Sequence, residues 1–247
     1  MVKCIEESMK TTVVLLTWKR IPGLKKTLML LSAQTNKEFD VRISNGNLQH
    51  AHVVDKVAKY FSDRLKITVS HDGNEIHAFR RFTVGKELAQ SGTDVILFID
   101  DDITFDSTYV ETCLKHYRPN TYQSGFAWSF QNNGSDYYKY RTRVRNITEK
   151  VHYCGTGIGM IDASIFLDDK IFAAPKEAYL IEDLWLSYFA QHVKGWDLLY
   201  IPMKNVHIGG ADQHALYKQI MRDKRLEKAP DKADFLRLLV KKYRWKL

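Results

Sequence analysis

The sequence predicts an α/β protein: a Rossmann-like, doubly wound, mostly parallel central sheet with helices on both faces, plus a smaller antiparallel portion. Three observations carry this expectation. Strand and helix signals alternate through the first hundred residues. The fourth strand-like run ends in three consecutive carboxylates. The second half then changes character, with aromatic residues set among polar ones and glycines. A βαβαβαβ order favours parallel pairing, because each crossover helix returns the chain to the same end of the sheet.

Thr12 to Leu16 is a β-branched apolar run and reads as the first strand. Leu24 to Ala33 reads as a helix, since Leu24, Leu28 and Leu31 share one face. Val41-Arg42-Ile43 is a short second strand, closed by the turn residues Ser44-Asn45-Gly46-Asn47. His52 to Phe61 is helical, with Val53, Val54, Val57 and Phe61 at the 3.6 period. Ile67-Thr68-Val69 is the third strand, Phe79 to Gln90 a helix, and Val95 to Ile99 the fourth strand. Between Tyr117 and Tyr140, eight aromatic residues lie among polar ones, which reads as irregular or antiparallel structure with exposed rings. Gly155, Gly157 and Gly159 alternate with period 2, placing all three on one bare face of a strand. Their spacing does not fit G-x-G-x-x-G, so a dinucleotide fold is not supported. Ile181 to His192 is an amphipathic helix opening on Glu182 and Asp183, and Leu198 to Ile201 is a further strand closed by Pro202.

The 247 residues suffice for one large domain or two small ones, with 45% hydrophobic and 27% charged residues. No apolar run approaches the roughly 20 residues that span a bilayer. The first ten residues lack a secretory apolar segment, and Cys4, Cys113 and Cys154 are too few and too scattered for a disulfide framework or zinc site. A cytoplasmic location is the resulting expectation. The net charge of +8 is concentrated: residues 218–247 carry 11 Lys and Arg against 4 Asp and Glu. This stretch reads as a basic helical tail. A solvated helix face, a peripheral membrane contact or a nucleic-acid contact would each account for it.

Asp100-Asp101-Asp102 follows the fourth strand directly, and ligands in open α/β sheets sit beyond the carboxyl ends of strands. Carboxylates crowded there repel one another unless a cation offsets them. Hard oxygen donors suit Mn²⁺ or Mg²⁺, ions that commonly bridge to phosphates. The plainer alternative is a solvated acidic turn.

Taken in order, these pieces resemble the GT-A fold of nucleotide-sugar-dependent glycosyltransferases, most like the inverting family 2. The carriers are Val13 to Arg20, like the family's opening strand and T-Y-N-R-like turn; Leu28 to Phe39 with Ser32-Ala33-Gln34-Thr35; Asp100 to Asp102, like its D-x-D motif; the glycines at 155–159; Glu182-Asp183, like its E-D pair; and Val206-His207. The resemblance implies one catalytic domain over residues 1–217, with a nucleotide-binding half (11–105) and an acceptor-binding half (106–217), followed by the tail.

It further implies a nucleotide-sugar donor, UDP-linked, and a glycan, glycoprotein or glycolipid acceptor; nucleic acid is not expected. Thr17, Trp18, Arg20 and Asn45 would line the donor, with Trp18 stacking on the base or packing in the core. Arg80 or Arg81 would contact the diphosphate. Asp102 would touch the metal, and Asp100 the ribose or a metal-bound water, with Asp100 also a candidate metal ligand and Asp101 among the donor-binding residues. His207 would be a second metal ligand, ahead of His214. Asp183 would be the general base and Glu182 would orient hydroxyls, the alternative being two carboxylates that favour a helix N-terminus. Tyr122, Phe126, Trp128, Tyr137 and Tyr138 would form an acceptor platform or contribute to the core. Asn45 stands where the family has an Asp that recognises uracil. A retaining GT-A enzyme and a nucleic-acid binder using the tail are the alternatives. A nucleotidyltransferase would carry a Gly-rich loop near the first strand, where this chain has only Gly23.

Overall fold

The computed structural model describes residues 9–73, 75–132, 136–147, 149–209 and 231–247. The predicted alternation is present as β1 (Thr11–Thr17), α1 (Ile21–Ser32), β2 (Asp40–Asn45), α2 (Ala51–Phe61), β3 (Ile67–His71), α3 (Arg80–Gln90) and β4 (Val95–Asp100). There follow β5 (Ile103–Thr104), α4 (Tyr109–His116), β6 (Thr121–Ser124), β7 (Ala127–Phe130), β8 (Arg141–Val144), β9 (Tyr153–Cys154), β10 (Ile158–Asp162), α5 (Glu182–Tyr188), β11 (Asp197–Tyr200), β12 (His207–Ile208) and α6 (Lys232–Lys241).

Seven strands form the central sheet in the order β11-β6-β10-β4-β1-β2-β3. β1 to β4 run parallel, and β10 is antiparallel to both of its neighbours, β4 and β6. Alternate residues of β1 and β4 enter two different cores. Val14, Ile96 and Phe98 pack with Phe82 of α3 and Leu184 of α5. Val13, Leu15, Leu97 and Ile99 pack with Leu24 and Leu28 of α1 and Val54 and Val57 of α2. Burial on both faces explains why these strands read as unbroken apolar runs rather than alternating ones.

Two expectations for the second half are corrected. The rings between Tyr117 and Tyr140 are mostly inside: Tyr122, Phe126, Phe130 and Tyr137 are buried, and Tyr138 is exposed. Tyr122 belongs to β6 in the central sheet, and its hydroxyl donates to the Cys154 carbonyl at 2.9 Å, so it cannot serve a surface platform. The glycine run is not one strand either. β10 starts at Ile158, and Gly155-Thr156-Gly157 form the turn before it.

β7 carries a second, three-stranded antiparallel sheet, β8-β7-β9. Its inner end is tied by His152, whose Nδ1 accepts from the Phe130 N–H at 2.9 Å. Burial, and then the charge of Lys150, push the pKa of His152 down to about 4. The folded state therefore favours the neutral ring. The stability this contributes is complete above the ordinary His pKa near 6.5 and is lost as pH falls from there toward 4. Chemical denaturation at pH 7, 5.5 and 4 should show that loss, and a His152→Asn variant should show a flatter profile. Parallel profiles for the two proteins would refute it.

Residues 231–247 join the body. Phe235, Leu236, Leu239 and Trp245 are buried with α5, and the Trp245 indole donates to Gln191 at 2.9 Å. Cys113 and Cys154 are buried free thiols. Among the described residues no helix is long and apolar enough to cross a membrane.

Candidate active site

The carboxyl ends of four parallel strands define one edge. Thr17 pairs with Asn45, Asn45 with His71, and Leu16 with Asp100. At this edge the buried Thr17 hydroxyl has no hydrogen-bond partner. Trp18 is half-buried, with the Lys19 ammonium 4.1 Å over its ring, so one of its faces is covered by a cation. The Asn45 side chain is engaged within its own turn. Its Nδ2 donates to Asn47 O at 2.8 Å and lies 3.0 Å from His71 Nδ1, while Oδ1 accepts from Asn47 N at 2.9 Å. The carboxylate beside this turn is Asp72, which receives the Ser44 and Ser70 hydroxyls at 2.6 and 2.7 Å. Sequence reasoning stopped at Val69 and so missed Asp72.

Arg80 and Arg81 are adjacent, both buried, and turned to different tasks. Arg80 clamps the loop after β3, donating to Gly73 O and His77 O at 3.0 Å each. A Cβ on Gly46 would fall 2.6 Å from its guanidinium, so any larger residue there would push the guanidinium aside. Burial lowers its pKa to about 10, with Asp72 opposing and Arg81 reinforcing the shift. Arg81 reaches the centre of the site. It pairs with Asp100 and, through Nε, with Glu182 at 3.0 Å, and its Nη1 is buried without a partner.

The three aspartates diverge. Asp101 is buried and paired with Arg20, while the Asp100 and Asp102 side chains are 35% and 26% exposed. Asp101 was expected to face the donor; it turns inward, because neighbouring residues at a strand end point in opposite directions. Arg20 also donates to Asp102 at 2.7 Å. Burial, together with the charges of Asp100 and Asp102, outweighs Arg20 and raises the Asp101 pKa to about 7. Asp102 is raised too, by burial and Asp100. β12 pairs with β5, setting His207 opposite Thr104, and the Gly209 N–H donates to Asp102 O at 2.5 Å. His207 thus reaches the triplet's neighbourhood, on an exposed strand. His214 lies outside the described residues.

Among the described residues no three His, Cys, Asp or Glu side chains gather into a closed metal cage. The donor chemistry nevertheless fits a hard divalent cation: Asp100 and Asp102 keep partly exposed carboxylates beside their arginine partners, and the repulsion between them is what a cation relieves. Gly157 helps keep the space, since a Cβ there would come within 2.8 Å of Asp100 Oδ2.

Across the site, Glu182 is buried and accepts from Arg81 and from Thr156 Oγ1, the latter at 2.9 Å. Burial raises its pKa and Arg81 opposes the rise. Asp183 accepts from the Tyr153 hydroxyl, from Lys232 Nζ at 2.6 Å and from Leu184 N at 2.9 Å. Lys232 also donates to the Tyr153 hydroxyl at 2.9 Å. Burial works against charge on Lys232, but the Asp183 carboxylate outweighs it and holds the ammonium pKa above its ordinary value. Neither Tyr153 nor Lys232 was legible as a site residue. Lys232 was one of eleven cations in a basic stretch, and Tyr153 one of many tyrosines.

The architecture is the GT-A fold. No family model matches the chain, and no curated protein sequence matches it either. Solved structures do. The chain is similar to GalNAc-T7, solved with UDP, GalNAc and Mn²⁺ (TM-score 0.61, 12% identity, 98% of this chain and 55% of that one). It is also similar to S. aureus TarS (TM-score 0.57, 14% identity, 96% and 43%). A third is the mannosyltransferase PcManGT from Pyrobaculum calidifontis with GDP-Man and Mn²⁺ (TM-score 0.54, 13% identity, 78% and 55%). The chain therefore spans about half the length of these proteins, and at such identities the likeness establishes the fold.

Proposed function

We infer that the chain is a metal-dependent glycosyltransferase, moving a sugar from a nucleoside diphosphate, UDP by preference, to a hydroxyl of a glycan, glycoprotein or glycolipid. The observation that carries this reading is Arg81. One guanidinium ties Asp100, at the donor edge of the sheet, to Glu182, beside the acceptor-side carboxylate Asp183. The UDP, GDP-Man and Mn²⁺ held by structures of the same fold support it.

Asp100 and Asp102 would hold the cation, which when bound supplies Lewis-acid stabilisation to a diphosphate leaving group. The unpartnered Arg81 Nη1 and Thr17 hydroxyl offer donors to a ligand's oxygens at the same edge. Asp183 accepts the proton of the attacking hydroxyl, and Tyr153 and Lys232 hold its carboxylate in place. Attack from the side opposite the nucleotide inverts the anomeric centre. The nucleic-acid alternative loses much of its premise over residues 231–247, whose apolar side is packed into the core.

A screen of nucleotide sugars with Mn²⁺ tests the reading. Hydrolysis of one donor is expected, abolished by chelator and by Asp102→Ala. No metal-dependent hydrolysis with any donor would overturn it.

A further inference from the structure

We propose that the three-stranded sheet binds the acceptor, and that this acceptor is an anionic glycan, carrying a phosphate, sulfate or carboxylate about 10 Å from its reacting hydroxyl. The proposal rests on the glycosyl-transfer reading and adds the chemical class of the acceptor. Its basis is a row of side chains across the sheet. Arg143 pairs with Trp128, and Trp128 with Tyr153, so the three share one face. The row ends at the Tyr153 hydroxyl on Asp183. The Arg143 backbone stands two strand spacings from that of Tyr153, which is about 10 Å.

Trp128 in the middle is half-buried and stacks on Tyr153, with centroids 4.9 Å apart. Partly exposed rings of this kind suit the apolar C–H face of a sugar. The far end is cationic. Arg141 and Arg143 alternate on β8 with Thr142 and Val144, so both point the same way, and Arg145 continues the period. Arg141 lies over Tyr137 at 4.6 Å and over Trp128 at 5.7 Å, and it donates to the Tyr137 hydroxyl at 2.7 Å. Arg143 lies over Phe126 at 4.9 Å. Rings hold both guanidiniums in place before any ligand arrives.

Among the described residues no carboxylate pairs with any of the three arginines. Asp136 and Asp231, on the neighbouring segments, are engaged as caps to Tyr138 N and Ala233 N, at 2.9 Å each. Burial, and then the charge of Arg145, lower the Arg143 pKa. The plain alternative is that β8, an edge strand, carries charge to prevent edge-to-edge pairing.

The test titrates sulfated maltohexaose, neutral maltohexaose and a single-stranded RNA hexamer into the protein at physiological salt. The sulfated sugar is expected to bind at least tenfold more tightly than the neutral one. An Arg141→Gln/Arg143→Gln variant should lose about tenfold of that affinity, in line with charge-assisted contacts. A Lys25→Gln/Lys26→Gln variant, which removes the same charge from exposed positions on α1, should change it less than twofold. Equal binding of both sugars, equal loss in both variants, or tighter binding of the RNA would each overturn the proposal. So would an arginine variant that aggregates yet binds normally, the behaviour edge protection predicts. Donor hydrolysis is followed in the same preparations and should be unchanged in the Lys25→Gln/Lys26→Gln variant. Its absence from the parent protein would sink the transfer reading alone.

Discussion

Asp183→Asn is expected to lower turnover about 100-fold or more while leaving donor affinity nearly unchanged. General-base catalysis contributes about 10² to 10⁴ in rate, and an amide keeps the carboxylate's shape without its proton affinity. The competing reading makes Asp183 an anchor for the C-terminal helix, because Lys232 and Tyr153 already occupy one of its oxygens. Lys232→Met separates the two. If Asp183 is only an anchor, losing its cationic partner should reproduce the full kinetic defect. If it is the base, Lys232→Met should weaken positioning and leave most of the turnover. Equal rates for Asp183→Asn and the parent would eliminate the base assignment, as would equal defects in the two variants.

Arg81→Met should produce the largest loss of stability of any single change at the site, about 3–5 kcal/mol, read as a shift of the urea midpoint. Removing one member of a buried ion pair strands the other charge, and Arg81 serves two carboxylates at once. Exposed pairs such as Lys66–Asp40 contribute about 0–1 kcal/mol at most. Adding Glu182→Gln to the Arg81→Met variant should recover part of the loss, because Glu182 is the more buried of the two partners. A midpoint shift worth less than about 1 kcal/mol would show that the bridge is not buried as described.

The kinetic and the thermodynamic expectation meet at residues whose roles differ in how far sequence could reveal them. β1 and β4 were legible as unbroken apolar runs, as in Val13 to Leu16, because both their faces are buried, and α1 and α2 because burial of one face leaves a 3.6 period, as in Val53 to Phe61. The acid triplet was legible because the buried apolar run Val95 to Ile99 gives way to carboxylates as β4 ends at Asp100. Asn45 was harder. Its place at the end of β2 was evident, but its amide's engagement with Asn47 and His71 depends on a turn conformation that composition does not specify. The aromatic segment misled in the other direction: polar neighbours such as Gln123 and Ser124 suggested exposure, yet both are buried and hydrogen-bonded beside Tyr122.

Local pattern thus carried the α/β order, the strand ends and the candidate carboxylates Asp100, Asp102, Glu182 and Asp183. Three-dimensional packing chose Arg81 over Arg80 as the link between the two halves, turned Asp101 inward, and delivered Tyr153 and Lys232 to Asp183. The physical reason is range. Arg81 and Glu182 are 101 residues apart, and Lys232 and Asp183 are 49 apart. Periodicity reports only which face of its own element a side chain occupies. Which distant partner waits across that face depends on strand order and helix docking, so a buried arginine and a helix-end lysine acquire their roles only when the chain is folded.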